Sequence, residues 1–158
     1  MTTKITENAD RHRDRALSIL NSPAEATATL LRGHLLIEEL LESLIKKKCA
    51  SPSVIDNSTI SFSVKCSIAK ALYGSDFYVW PLLELLNSAR NEMAHSIESP
   101  KFTTKLEKLT NTVGESLGRP SDLMGAIGYL LGSLMCLVEI TPQVSPAKNS
   151  LKGKGQAK

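Results

Sequence analysis

A chain of 158 residues is one domain's worth and can bury a sizeable core without disulfides or metal. Aromatics make up only 4 % of it, while Leu, Ile and Ala are plentiful, a balance that favours helix–helix packing and argues against a β-sandwich. The net charge of +3 belongs to the C-terminal end: the last eighteen residues carry Lys148, Lys152, Lys154 and Lys158 and no acid, and without those lysines 15 basic residues face 16 acidic ones, so the near-neutral body argues against a DNA-tracking repressor.

The N-terminal run MTTKITENADRHRDR is charged and has no apolar core, so no signal peptide is expected. Residues 5–20 predict a modest first helix, with Ala16, Ile19 and Leu20 at helical spacing. Asn21-Ser22-Pro23 breaks it. Ser22 then reads as an N-cap with Pro23 at the first helical position, opening the strongest helix of the chain, which runs to about Lys47. Its stripe is Leu30, Ile37, Leu41 and Leu44, widened by Leu36, Leu40 and Ile45. Glu42 can pair with Lys46 one turn on, and Lys46-Lys47-Lys48 suits a negative helix end.

Residues 49–61 read as a loop. A helix from about Phe62 to Tyr73 follows, with Phe62, Cys66, Ala69 and Leu72 as its inner face and Gly74 as its stop. The next helix starts between Phe77 and Pro81 and runs to about Ser96, Pro100 marks a break, residues 102–113 predict another helix, and Gly118-Arg119-Pro120 is a turn. Ser121 or Asp122 caps a last apolar helix to about Glu139. Its glycines, Gly125, Gly128 and Gly132, interrupt the apolar run, which reads as a buried helix or a dimer seam and not as a membrane span. Residues 141–158 read as a disordered basic tail. Cys49, Cys66 and Cys136 imply neither a disulfide framework nor a zinc site, and Cys66 and Cys136 read as small core residues. The expected fold is all-α: a bundle of four core helices plus one or two extra helices, forming a single domain over 1–140. A cytoplasmic location follows by default, and no cofactor, metal or membrane partner is expected.

The helix ending near Ser96 holds the residues that could carry chemistry. At about 100° per residue, Leu82, Leu85, Leu86, Ala89 and Met93 share the core side, and Glu84, Asn87, Ser88, Asn91 and His95 fall opposite. Asn91 and His95 are one turn apart, whereas Arg90 lies about 140° from His95. As helix geometry alone, this is a solvated face. The segment Arg90-Asn91-Glu92-Met93-Ala94-His95, however, resembles the signature of the HEPN superfamily. The order of RGHLLIEELLESLI at 32–45, FSVKCSIAKALYG at 62–74 and LLELLNSARNEMAHS at 82–96 extends the resemblance over roughly residues 25–110. The layout looks like that of small bacterial proteins related to the mannitol repressor.

This resemblance implies a homodimer that brings two Arg/His motifs into one cleft. It also implies a metal-independent endoribonuclease, of toxin–antitoxin or phage-defence type, acting on RNA under the control of an antitoxin or regulatory partner. Arg90 and His95 would then be the catalytic pair and Asn91 their support. The alternative it carries is a non-catalytic regulatory or binding protein of the mannitol-repressor-like branch, acting through protein contacts. Outside the motif, His34, with Glu38 one turn on, reads as a packing or surface histidine that could approach the cleft. Ser61 and Ser63 read as caps.

Overall fold

The computed structural model describes residue 14 and residues 26–56, 59–95 and 99–144. Apart from residue 14, the expected helix over 5–20 lies outside these, as do the cap at Ser22 and the tail from 145 onward. Six helices and no strand occur among the described residues: α1 (Ala26–Lys48), α2 (Ser53–Asp56), α3 (Phe62–Tyr73), α4 (Val79–His95), α5 (Pro100–Leu117) and α6 (Leu123–Ile140). The protein is an all-α helical bundle. α1 is its axis and packs against α3, α4 and α6, while α5 bridges α4 and α6.

The direction of each helix follows from its contacts. α1 and α3 run parallel: Phe62 lies on His34, Lys65 reaches Glu38 and Glu42 at 3.0 and 3.2 Å, and Tyr73 Oη donates to the Leu44 carbonyl at 2.7 Å. The 49–61 connection therefore has to travel back along α1, and it contains the short helix α2, which the loop composition did not announce. α4 returns antiparallel to α3. Gly74, at φ 98°, makes the turn between them, since positive φ strains residues with a Cβ. The Trp80 indole N–H donates to the Gly74 carbonyl at 2.8 Å.

Local signals set the other ends. Ser99 accepts the Lys101 amide with Pro100 in the first turn, so α5 begins at the proline and not after it; Asp122 accepts the Gly125 amide at 2.7 Å and starts α6. The three terminal lysines of α1 act separately. Lys46 pairs with Glu42 and Asp56, Lys47 donates to the carbonyls of Val138 and Thr141 at the end of α6, and Lys48 lies over the Tyr73 ring. Lys47 thus satisfies carbonyls that a helix C-terminus leaves without partners.

The α1 stripe is buried except Leu40, which is half-buried. α3 departs from expectation. Leu72 is exposed, and Lys65 is buried instead, held charged against its own desolvation by Glu38 and Glu42. Cys136 is exposed, not a core residue. On α6 the buried face is Ala126, Ile127, Leu130, Leu131 and Leu134, while Gly128 and Gly132 are exposed and a Cβ at either would touch nothing within 4 Å. The tight α1–α6 approach is made by Gly33 of α1, where a Cβ would stand 2.6 Å from Ile127 Cδ1 and 2.7 Å from its Cγ2. Gly33→Val therefore overpacks this seam and is expected to cost about 1–3 kcal/mol. The urea midpoint of the variant checks this, and Ile127→Ala should recover part of the loss in the double variant.

Candidate functional site: the last two turns of α4

Ala89 and Met93 anchor the end of α4 in the core. That anchoring turns Asn87, Arg90 and Asn91, at i, i+3 and i+4, onto one connected face. Asn87 and Arg90 are half-buried and Asn91 is exposed. Arg90 Nη1 donates to Asn91 Oδ1 at 3.3 Å, and among the described residues Arg90 makes no ion pair. The acid inside the motif is turned elsewhere: Glu92 accepts Ser99 Oγ at 3.3 Å and Lys105 Nζ at 3.0 Å. The Lys105 ammonium, first, and the Ser99 hydroxyl hold its carboxyl below the usual range. Glu92 thus ties α4 to α5 and does not pair with the guanidinium.

His95 is the last residue of α4 and is exposed. No hydrogen bond joins it to Asn91 or Arg90 among the described residues. The structure thus pairs Arg90 with Asn91, while His95, one turn from Asn91 and about 140° from Arg90 along the helix, bonds to neither among the described residues.

What the sequence placed outside the motif lies beside it. His34 is buried, its ring stacks on Phe62 with centroids 4.0 Å apart, and its Nε2 donates to Asn87 Oδ1 at 3.2 Å. Asn87, expected on the solvated side of α4, is instead the partner of this imidazole. The periodicity of α4 could not show this, because the partner comes from α1. Burial is the main influence on the His34 ring and lowers its pKa. The bond to Asn87 and the Glu38 carboxylate oppose that shift, and the Arg90 guanidinium reinforces it.

The sign of the pH effect follows. The unfolded ring binds its proton near 6.5 and the folded ring only below that, so the unfolded state holds more protons in between. The native contribution of His34 is complete above pH 6.5 and declines as the pH falls through that value toward the lower folded pKa. His34→Gln should accordingly lose less stability than the wild type between pH 7.5 and pH 5, measured by urea unfolding at each pH; an equal loss would contradict the burial of a neutral ring.

Behind Asn87, α3 and α4 enclose a partly open slot of about 200 Å³. Cys66 forms part of its wall, and burial pushes that thiol up to about 12, so it is an apolar surface there and not a nucleophile. Among the described residues no three His, Cys, Asp or Glu side chains converge as a metal site would need. The fold and this face together define an all-α bundle whose α4 carries an Arg–Asn pair and a part-buried Asn–His pair. Comparison of the chain with protein-family models, with curated proteins and with solved structures finds no match.

Proposed function

We propose that the protein is a HEPN-type, metal-independent endoribonuclease that acts as a homodimer on RNA, with Arg90 and His95 as its catalytic residues and Asn91 supporting them. The observation that carries this reading is the half-buried Arg90 guanidinium, held by Asn91 and free of any ion pair among the described residues. A fixed cation with an amide beside it suits the extra charge of a pentavalent phosphorus centre. In the reaction the 2′-oxygen forms a bond to the adjacent phosphorus as its proton leaves to a base. The bond to the 5′-oxygen breaks and that oxygen gains a proton, giving a 2′,3′-cyclic phosphate and a 5′-hydroxyl. An imidazole can serve either transfer near neutral pH. Because no hydrogen bond joins Arg90 to His95 among the described residues and about 140° of helix separates them, the pair would form between two chains.

The test is incubation of a mixed RNA pool in EDTA with wild type and His95→Ala. The reading expects cleavage by the wild type alone, with cyclic or 3′-phosphate ends. Equal cleavage by both would remove His95 from the site. A second reading, a non-catalytic regulatory protein of the same fold, is favoured by one feature: Leu31 and Leu35 of α1, on either side of His34 in sequence, are 40 % and 59 % exposed, a surface suited to protein contact. On that reading no RNA is cut, and Arg90→Ala alters association with a partner, such as an antitoxin, or with a second copy.

A further inference from the structure

The slot between α3 and α4 has an apolar interior and a polar lip. Phe62, Trp80, Leu83 and the un-ionised Cys66 supply the interior, and Asn87 and Glu84 stand on the α4 side of the mouth. Its volume of about 200 Å³ is that of a site for one small ring system, well below the span of drug-sized pockets. The lip has a defined polarity. Asn87 Oδ1 is already taken by the His34 N–H, so the amide presents its NH2 as a donor. One turn earlier, the Glu84 carboxylate is an acceptor. Lys70 Nζ, across the mouth, forms an ion pair with it at 3.9 Å, longer than a hydrogen bond, so the carboxylate keeps its accepting capacity. A donor and an acceptor one turn apart on one helix face, above an apolar slot, fit a flat heterocycle with a ring acceptor beside an exocyclic amine.

We propose that this slot binds the base of a nucleotide, adenine or cytosine, with the nucleotide's phosphate on Arg90 and Asn91 one turn further along α4. The proposal rests on the reading of Arg90 and Asn91 as a phosphate site and adds to it the part of the RNA that sets sequence preference. The spacing supports it: one sugar separates base from phosphate, a span comparable with one helical turn of about 5.4 Å. Uracil, which lacks the exocyclic amine, offers Glu84 less.

Trp80 is the chain's single tryptophan and lines the slot, so its fluorescence reports occupancy. Adenosine, cytidine, uridine, AMP and inorganic phosphate are titrated into the full chain. The companion variants are Arg90→Ala and Ser67→Phe. Ser67 is an exposed lip residue whose hydroxyl donates to the Ser63 carbonyl of its own helix, so the phenyl ring can block the mouth without disturbing the core. Adenosine and cytidine should change the signal saturably, with uridine about tenfold weaker. AMP should bind more tightly than adenosine, and Arg90→Ala should erase that difference. Ser67→Phe, with unchanged helical circular dichroism, should abolish the nucleoside response. The base site is overturned if phosphate alone binds, if no nucleoside gives a saturable change, or if folded Ser67→Phe responds like the wild type. Equal binding of uridine overturns the roles of Asn87 and Glu84, and equal binding of AMP and adenosine overturns the register on Arg90. Nucleoside binding by a protein that cuts no RNA would retain the base site and reject the ribonuclease reading.

Discussion

Arg90→Ala is expected to slow RNA cleavage in EDTA by about 10²–10³-fold, the usual consequence of removing one preorganised donor to a developing anion. It is also expected to leave the fold standing. The side chain is half-buried, its hydrogen bond to Asn91 is 3.3 Å long, and it neutralises no acid among the described residues, so its loss should change stability by no more than about 0.5 kcal/mol. Arg90→Lys keeps the charge but not the two-pronged geometry that matches a phosphate, and should recover only part of the rate. A second readout separates a charge effect from a packing effect. Arg90 helps hold the His34 pKa down, so Arg90→Ala should move the His34 titration, followed by its ring proton resonances, toward higher pH. A rate loss accompanied by a matching loss of helicity would mean that Arg90 is structural.

The largest effect on stability is expected at Trp80. Its side chain is 2 % exposed, packs edge-on against Phe77 at 5.6 Å between ring centroids, and donates to the Gly74 carbonyl at 2.8 Å. It therefore secures the α3–α4 turn and the start of α4 together. Trp80→Ala should cost about 3–5 kcal/mol through lost burial and the cavity left behind, a large share of the roughly 5–15 kcal/mol by which domains are stable. Trp80→Phe should cost much less, because it keeps an aromatic ring in the site and Gly74 is exposed, so water can solvate the freed carbonyl. Urea unfolding followed by circular dichroism checks both; a loss below about 1 kcal/mol for Trp80→Ala would contradict the burial of the ring.

These two residues show how far the sequence could be read. The helices were legible wherever periodicity and punctuation agreed: Gly74 and Asp122 mark ends that the structure reproduces, and the α1 stripe is the core it appeared to be. Local signals failed where a partner comes from a distant element. Lys65 looks like a surface lysine until Glu38 and Glu42 of α1 lie beside it. Asn87 looks solvated until His34 reaches it from 53 residues away. The glycines of α6 suggested a close contact in the core or in a dimer seam; within the chain the close approach of α1 and α6 is made by Gly33, while Gly128 and Gly132 are exposed. In the candidate site, the neighbouring residues Arg90 and Asn91 could be paired from sequence. His95, one turn from Asn91 but about 140° from Arg90 along the helix, closes α4 with no hydrogen bond to either among the described residues.

That separation defines the most direct test. Arg90→Ala and His95→Ala are purified, mixed, unfolded and refolded together, and assayed on RNA in EDTA beside each variant alone and the wild type. If the site forms between two copies, one variant supplies the histidine and the other the arginine. The mixture should then cleave RNA while neither variant alone does. An active wild type whose mixed variants stay silent would contradict the shared site. A wild type that leaves the RNA intact while folded and dimeric would contradict the ribonuclease function itself.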